Sequence, residues 1–343
     1  MRPLLLKKTR TQHRFLPEIQ TTSIRFRPSP AWLAEIRDCL ICGPDIAVST
    51  KSGVLLSDVS LAWEDKVDHY PIFRSPVFKK PLVIQGEAAL LAVTGGDTYF
   101  HWLLEALPRL RLLEKGKKLH SRQCLIVNDC RPGFQKESLK IFGLNLANII
   151  NLRTNPHLLV QRAIIPSYPC HYGTPSREDI EFLRERLKKP VCGQVKKEKR
   201  KNRYLLRRKT GCRRLLYEKR IEEALKPHGF QAVEPEKLSL GAQIALFDQA
   251  EAVIAPHGAG LANMIFCRPG TKILEMFSGS YVNLCYQHLA GNCDLPHFSI
   301  HPWSQREKLI ALDGRDRTQN GTDIAVGPED ILPVLEQARL KIW

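Results

Sequence analysis

No apolar run in this sequence approaches the ~20 residues that a membrane-spanning helix needs. Near the N-terminus Leu4-Leu5-Leu6 stands between Pro3 and Lys7-Lys8, too short for the apolar core of a signal peptide, so the expected location is the cytoplasm. Metal-ligand spacing is missing as well: no acidic cluster is visible, and Cys39 and Cys42 lack the second pair that a zinc site requires. The ten cysteines are otherwise scattered singly in a chain of 343 residues, too large to depend on disulfide staples, and read as buried or free thiols. No internal repeat is present. With 43% hydrophobic and 25% charged residues the chain is neither disordered nor membrane-embedded, and its length leaves room for two domains with a core each.

Positive charge is what the sequence has in excess. The net charge of +17 implies an anionic partner, and a dense share of it falls between Lys188 and Arg214, in KKPVCGQVKKEKRKNRYLLRRKTGCRR. Neither aromatic interleaving nor a recognition-helix pattern accompanies that stretch, so nucleic acid is not an expected partner. Residues 191–202 carry no hydrophobic period and read as a basic interdomain linker, suited to peripheral contact with anionic lipid at the inner face of a membrane.

Along the chain, residues 1–83 look irregular, with a turn at Arg27-Pro28-Ser29-Pro30, a short helix expected over 32–39 and a β-like run at 53–56. A first α/β domain is expected over 84–190. It holds an apolar run at 88–93, an amphipathic helix from Tyr99 that Pro108 kinks or divides, and strands at 123–127 and 149–152 on either side of a helix at 132–142. An apolar run at 158–165 follows, then a helix over 176–187 begun by the capping box Ser176-Arg177-Glu178-Asp179. The second α/β domain, 203–327, reads as strand 203–207, helix 216–226, strand 231–233, helix 240–249, a strand–loop–helix–strand unit over 252–277, and a helix over 280–290. A last helix in 328–343 is expected to pack back on the N-terminal domain. This alternation argues for parallel sheets flanked by helices.

The unit at 252–277, AVIAPHGAGLANMIFCRPGTKILEMF, concentrates the chemistry. A buried strand feeds the loop Pro256-His257-Gly258-Ala259-Gly260, and a helix opening there aims backbone N–H groups and a positive dipole at a bound phosphate. His257 is either a ligand of that phosphate or a core histidine, and Asn263 either caps the helix or reaches the ligand. Glu275 interrupts an apolar run near a strand end, roughly 17 residues past the glycines, where nucleotide folds place a ribose-binding acid ~20 residues on. Arg207 and the Arg213-Arg214 pair flank the Thr210-Gly211 turn. They read as solvated charge singly, and as a pyrophosphate clamp together. In the other domain His101 and Glu105 stand four apart on one helix face, either as a structural pair or as a general base with its partner, and Asp97 in the preceding glycine loop is a weaker candidate.

The stretch YFHWLLEALPRL (99–110), YLLR (204–207) with RRLLYE (213–218), EKLS (236–239) with Gln243, and HGAGLAN (257–263) together resemble the glycosyltransferase 61 family. The resemblance covers roughly 90–298. It implies a GT-B-like α/β fold, two Rossmann-like domains facing across a cleft, and an inverting, metal-independent transferase with no cofactor. The implied donor is a nucleotide sugar such as UDP-N-acetylglucosamine or a UDP-pentose. The implied acceptor is a glycan or lipid-linked hydroxyl in capsular or other surface polysaccharide synthesis. On this reading His101, Glu105 and Asp97 face the acceptor, while Arg207, Arg213, His257, Gly258, Ala259, Gly260, Asn263 and Glu275 hold the donor. The alternative is a non-catalytic nucleotide-sugar-binding protein of the same fold.

Overall fold

The computed structural model describes residues 31–43, 46–56, 59–60, 80–168, 170–171, 174–193, 202–209, 211–279, 281–301 and 322–340. The expected turn at 27–30, most of the basic linker, Thr210 and the first residue of the expected 280–290 helix lie outside them.

The first sheet has six strands, β1 (Leu33–Cys42), β2 (Ala47–Thr50), β3 (Leu82–Leu90), β4 (Cys124–Val127), β5 (Ile149–Asn151) and β6 (His157–Pro166), in the order β2-β1-β6-β3-β4-β5. Strands β3 to β6 are mutually parallel, and β1 is antiparallel to β2 and β6. The region before Val83 is therefore not irregular throughout, since its two strands extend this sheet. The helix expected over 32–39 is a strand for a visible reason. Ala34 and Ile36 pack on the same core as Cys39 and Ile41, so the apolar parity changes at Asp38, whose φ is 47°. A three-residue step between apolar positions imitates a helix, while pairing with β6 along the strand overrides that local pattern. Cys39 and Cys42 fall into separate clusters, and no metal-holding group of His, Cys, Asp or Glu occurs among the described residues.

Between β3 and β4 the chain forms α1 (Tyr99–His101), a π-helical turn (Trp102–Ala106) and α2 (Arg109–Lys115). Leu107 N–H reaches back to the Trp102 carbonyl at 3.0 Å, and Pro108, which has no N–H to give, stands where α2 begins. Helix α3 (Gly133–Ile141) joins β4 to β5. After the short hairpin β7 (Cys170–His171) and β8 (Thr174–Pro175), α4 (Arg177–Leu183) runs through a π turn into α5 (Lys189–Cys192), so helix continues into the first residues of the expected linker. Ser176 Oγ caps α4 by accepting from Asp179 N–H at 3.1 Å.

The second sheet is wholly parallel: β9 (Asn202–Leu206), β10 (Phe230–Val233), β11 (Ala250–Pro256), β12 (Lys272–Met276) and β13 (His297–Ile300), in the order β10-β9-β11-β12-β13. Helix α6 (Glu218–Leu225) follows β9, α7 (Leu240–Gln249) follows β10, a 3₁₀ helix (Ala259–Phe266) follows β11 and α8 (Cys285–Asn292) precedes β13. The last helix, α9 (Pro328–Gln337), expected to reach back to the N-terminal domain, packs among the described residues on the second sheet. Its Ile331, Val334 and Leu335 join Ile221 and Leu225 of α6 on the outer face of the second sheet. That face needs a second apolar cover, which α9 supplies.

The two halves are welded rather than merely facing. One continuous core carries Trp102, Leu103 and Leu107 from the first half together with Leu206, Ile244, Phe266 and Tyr286 from the second. No helix among the described residues is long and apolar enough to cross a membrane.

Candidate active site

Strand order locates the crevice. In the second sheet β9 leads through α6 to β10 on one side, and α7 then returns the chain to β11 on the other. Helix α6 lies in the outer core, whereas α7 and the 3₁₀ helix lie in the inner one, so the loops after β9 and β11 diverge to opposite faces. Such a switch point opens a ligand crevice at the carboxyl ends of the two strands. In the first sheet the strand order also reverses between β3 and β6, but the helices after both strands lie in the same core, and a side chain bridges the two strand ends. Arg109, buried to 1% exposure, donates from Nη1 to the Ala92 carbonyl and from Nη2 to the Pro166 carbonyl, both at 2.6 Å. Burial pushes its guanidinium down to about 9.

At the carboxyl ends of β9 and β11 the guanidinium groups divide in a way the sequence reading missed. Arg207 turns outward to α6: Nε and Nη2 meet Glu222 at 2.6 and 2.5 Å, and Nη1 reaches Glu234 at 3.5 Å. Those hydrogen bonds to Glu222 hold its guanidinium above the ordinary arginine value. Arg208 turns inward. Its Nε donates to the Cys212 carbonyl at 2.6 Å, and its Nη1 lies where a Cβ on residue 258 would stand. Parity in β9 carries the signal, because Tyr204 and Leu206 face the inner core and Leu205 the outer, so even-numbered residues continue toward the crevice. Arg213 also sits here. It holds φ at 62°, lies 4.8 Å from the Tyr281 ring centroid, and its buried Nε has no partner among the described residues. Arg214 is spent on Asp323, at 2.7 Å, which ties the loop to the returning C-terminal segment.

Gly258 is extended, at φ 171°, so it is the close approach of Arg208 and not backbone conformation that demands glycine. The helix that follows, opening at Ala259 and Gly260, is 3₁₀ rather than α, with Leu261 N–H closing on the Gly258 carbonyl at 3.0 Å. Asn263 is wholly buried and engaged on both sides of its amide. Nδ2 donates to Gln243 Oε1 at 2.9 Å and to the Gly260 carbonyl at 3.2 Å, and Oδ1 accepts from the Tyr99 hydroxyl at 2.6 Å. Burial pushes that hydroxyl up, so it remains a donor.

Glu275 is fully buried, with both oxygens occupied: Oε1 by His257 Nδ1, and Oε2 by His297 Nε2 at 2.8 Å. Burial works to raise its carboxyl, and the hydrogen bonds from the two histidines outweigh it, leaving it below the usual glutamate value. A ribose at Glu275 would have to displace one of them. The His257 ring is held by stacking on Phe277 at 5.4 Å and by Tyr281 and Tyr286 at 5.3 and 5.1 Å.

Across the seam, His101 Nδ1 meets Glu105 Oε2 at 2.7 Å, Glu105 being buried and His101 partly exposed. The spacing of four survives the π turn. Phe100 packs edge-on against both His101 and Tyr286, at 5.1 and 5.6 Å, and Tyr286 donates to the Gly258 carbonyl at 2.7 Å. Two histidine–glutamate pairs, one from each half, are thus joined through Phe100 and Tyr286. Asp97 is exposed on its loop, while Asn128 pins that loop through Val93 N–H and C=O at 3.0 and 2.6 Å.

No curated protein matches the chain. The family profile described as Glycosyltransferase 61 matches residues 99–274, just over half of the sequence, running from the Tyr99 seam to the strand that carries Glu275. The chain belongs to the glycosyltransferase 61 family, and its family membership implies glycosyltransferase activity on a sugar donor and an acceptor.

Proposed function

We propose that the protein is an inverting glycosyltransferase that moves a sugar from a UDP-type nucleotide donor to a hydroxyl of a glycan or lipid-linked acceptor in surface polysaccharide assembly. The observation that carries this reading is the pairing of the open switch point between β9 and β11 with the His101–Glu105 pair across the seam. Two sheets rich in parallel strands also suit a GT-B-type arrangement.

The donor diphosphate lies at Gly258, with Arg208, Arg213 and the first N–H groups of the 3₁₀ helix around it. The bond between the anomeric carbon and the phosphate oxygen breaks, and the electron pair leaves with the diphosphate. Preorganised donors stabilise that growing charge more in the transition state than in the ground state. The acceptor oxygen bonds to the anomeric carbon from the opposite face, and its proton passes to His101, whose developing charge Glu105 balances. Because guanidinium groups supply the positive charge, the reading assigns no step to a metal ion. Peripheral contact with anionic lipid through the basic linker at 191–202 would bring the enzyme to a lipid-linked acceptor.

A thermal-shift panel of nucleotides and nucleotide sugars tests the donor, since a ligand of the folded state raises the melting point with its concentration above Kd. A rise with UDP and its sugars, followed by transfer to a hydroxyl acceptor, is expected. Silence across the panel would sink the donor reading, and binding without turnover would leave only a nucleotide-sugar-binding protein.

A further inference from the structure

Glu275 invites a question that donor binding alone does not answer. An ionised carboxylate inside a strand is costly, and an apolar side chain of similar volume there would serve stability as well or better. Three neighbouring strands nonetheless converge on it. His257 follows β11, Glu275 lies in β12 and His297 opens β13, with Glu275 at 0% exposure and the histidine side chains at 6% and 5%.

An ionised carboxylate only accepts hydrogen bonds. Both imidazoles must therefore turn N–H groups to it, which assigns the protons: Nδ1–H on His257 and Nε2–H on His297. His257 is then left with Nε2 as its other nitrogen, on the residue next to Gly258, against which the Arg208 guanidinium lies. Ring rotation does not undo the assignment. Phe277 stacks on one side of the His257 ring, Tyr281 and Tyr286 crowd it, and His301 stacks on the far side of Phe277 at 5.0 Å. Among the described residues, His297 makes no such contact with the glycine loop. Its bond to Oε2 orients the carboxylate.

We propose that Glu275, clamped by His297, is a positioning residue that holds the Nδ1–H of His257, so that Nε2 faces the diphosphate of the donor and, taking a proton from solvent as the donor binds, donates a hydrogen bond to it while the Glu275 carboxylate balances the imidazolium. The inference rests on the donor reading above and deepens it: the acid contributes through a histidine rather than by touching the nucleotide.

The test is a long-range ¹H–¹⁵N correlation spectrum of the full chain labelled with ¹⁵N-histidine, recorded with and without UDP beside a thermal-shift measurement. The expected apo spectrum shows His257 protonated at Nδ1, and UDP moves its Nε2 resonance while those of His297 stay in place. An apo His257 protonated only at Nε2 overturns the proposal without any variant. A UDP-induced melting shift with no movement at His257 Nε2 also overturns it and leaves the donor reading intact. No melting shift at all brings down both. Glu275→Gln, which offers an amide N–H in place of one acceptor, is expected to mix the His257 tautomers and lower kcat by tenfold or more with acceptor KM unchanged. Should that variant fail to fold, His297→Gln, which keeps a donor toward Oε2, is expected to retain the Nδ1–H form. An unaltered tautomer and kcat in folded Glu275→Gln overturns the positioning role.

Discussion

The Tyr99 hydroxyl donates to Asn263 Oδ1 at 2.6 Å and so joins the first helix of one half to the glycine-loop helix of the other. Tyr99→Phe leaves that buried acceptor without its seam partner, a loss of about 1–3 kcal/mol. A lower urea midpoint with UDP affinity within a few-fold of wild type is expected. An unchanged midpoint would remove the seam role from this pair.

Arg207 and Arg208 are adjacent and face opposite ways, so alanine at each separates structure from function. Arg208→Ala is expected to cut kcat/KM for the donor by ~10²-fold, the scale of losing one preorganised donor. Arg207→Ala breaks a half-exposed pair with Glu222, which contributes ~1 kcal/mol or less, and leaves donor kinetics in place. Equal kinetic losses in the two variants would contradict the parity argument.

Gly258→Ala introduces a Cβ that overlaps the Arg208 guanidinium, in a backbone conformation any residue adopts. The flexible side chain yields, so the fold is retained and UDP binds ~10-fold more weakly, a change of about 1.4 kcal/mol. Calorimetric titration of the single and double variants checks the cause: adding Arg208→Ala should cost little further affinity. Full additivity would mean that the glycine acts independently of Arg208.

His101→Ala is expected to lower kcat by ~10²–10⁴-fold, the usual range for a general base, with UDP affinity within twofold. Glu105→Gln should fall in between. Wild-type turnover in His101→Ala would move the base role to another residue.

Asp129 governs an acid transition. Burial works against its charge, but hydrogen bonds from Arg131, Asn151 and two backbone N–H groups bring its carboxyl down from 3.8 to about 2. With the folded value depressed, its contribution is present above pH 3.8 and is lost as pH falls through about 2. Thermal melts of wild type and Asp129→Asn should therefore differ by a constant amount at neutral pH and converge between those values. Parallel curves down to the acid end would refute the assignment.

Much of the second domain was legible because its signals are local. Helix α7 coincides with the range expected from periodicity, and its cap, Ser239, accepts from Ala242 N–H at 3.2 Å. The π turn at 102–106 and the helix break at Pro108 follow from a proline whose missing N–H any helix must accommodate. The spacing of His101 and Glu105 was likewise sufficient to pair them. Strand β1 was not legible, since its parity change at Asp38 makes sense only beside β6. Nor was the destination of α9, whose apolar stripe fits any apolar face and is claimed by the one that lacked cover.

The sequence by itself determined most elements of the second domain, the glycine loop and the chemistry of the residues around it, because propensity, capping and turn formation act over a few neighbouring positions. Only the tertiary structure decided which arginine faces the crevice, why Glu275 is buried, and that Tyr99 and Asn263, 164 positions apart, close one seam. Those outcomes depend on strand order and on which charges meet at a buried point, and a carboxylate there takes whichever donors the fold delivers.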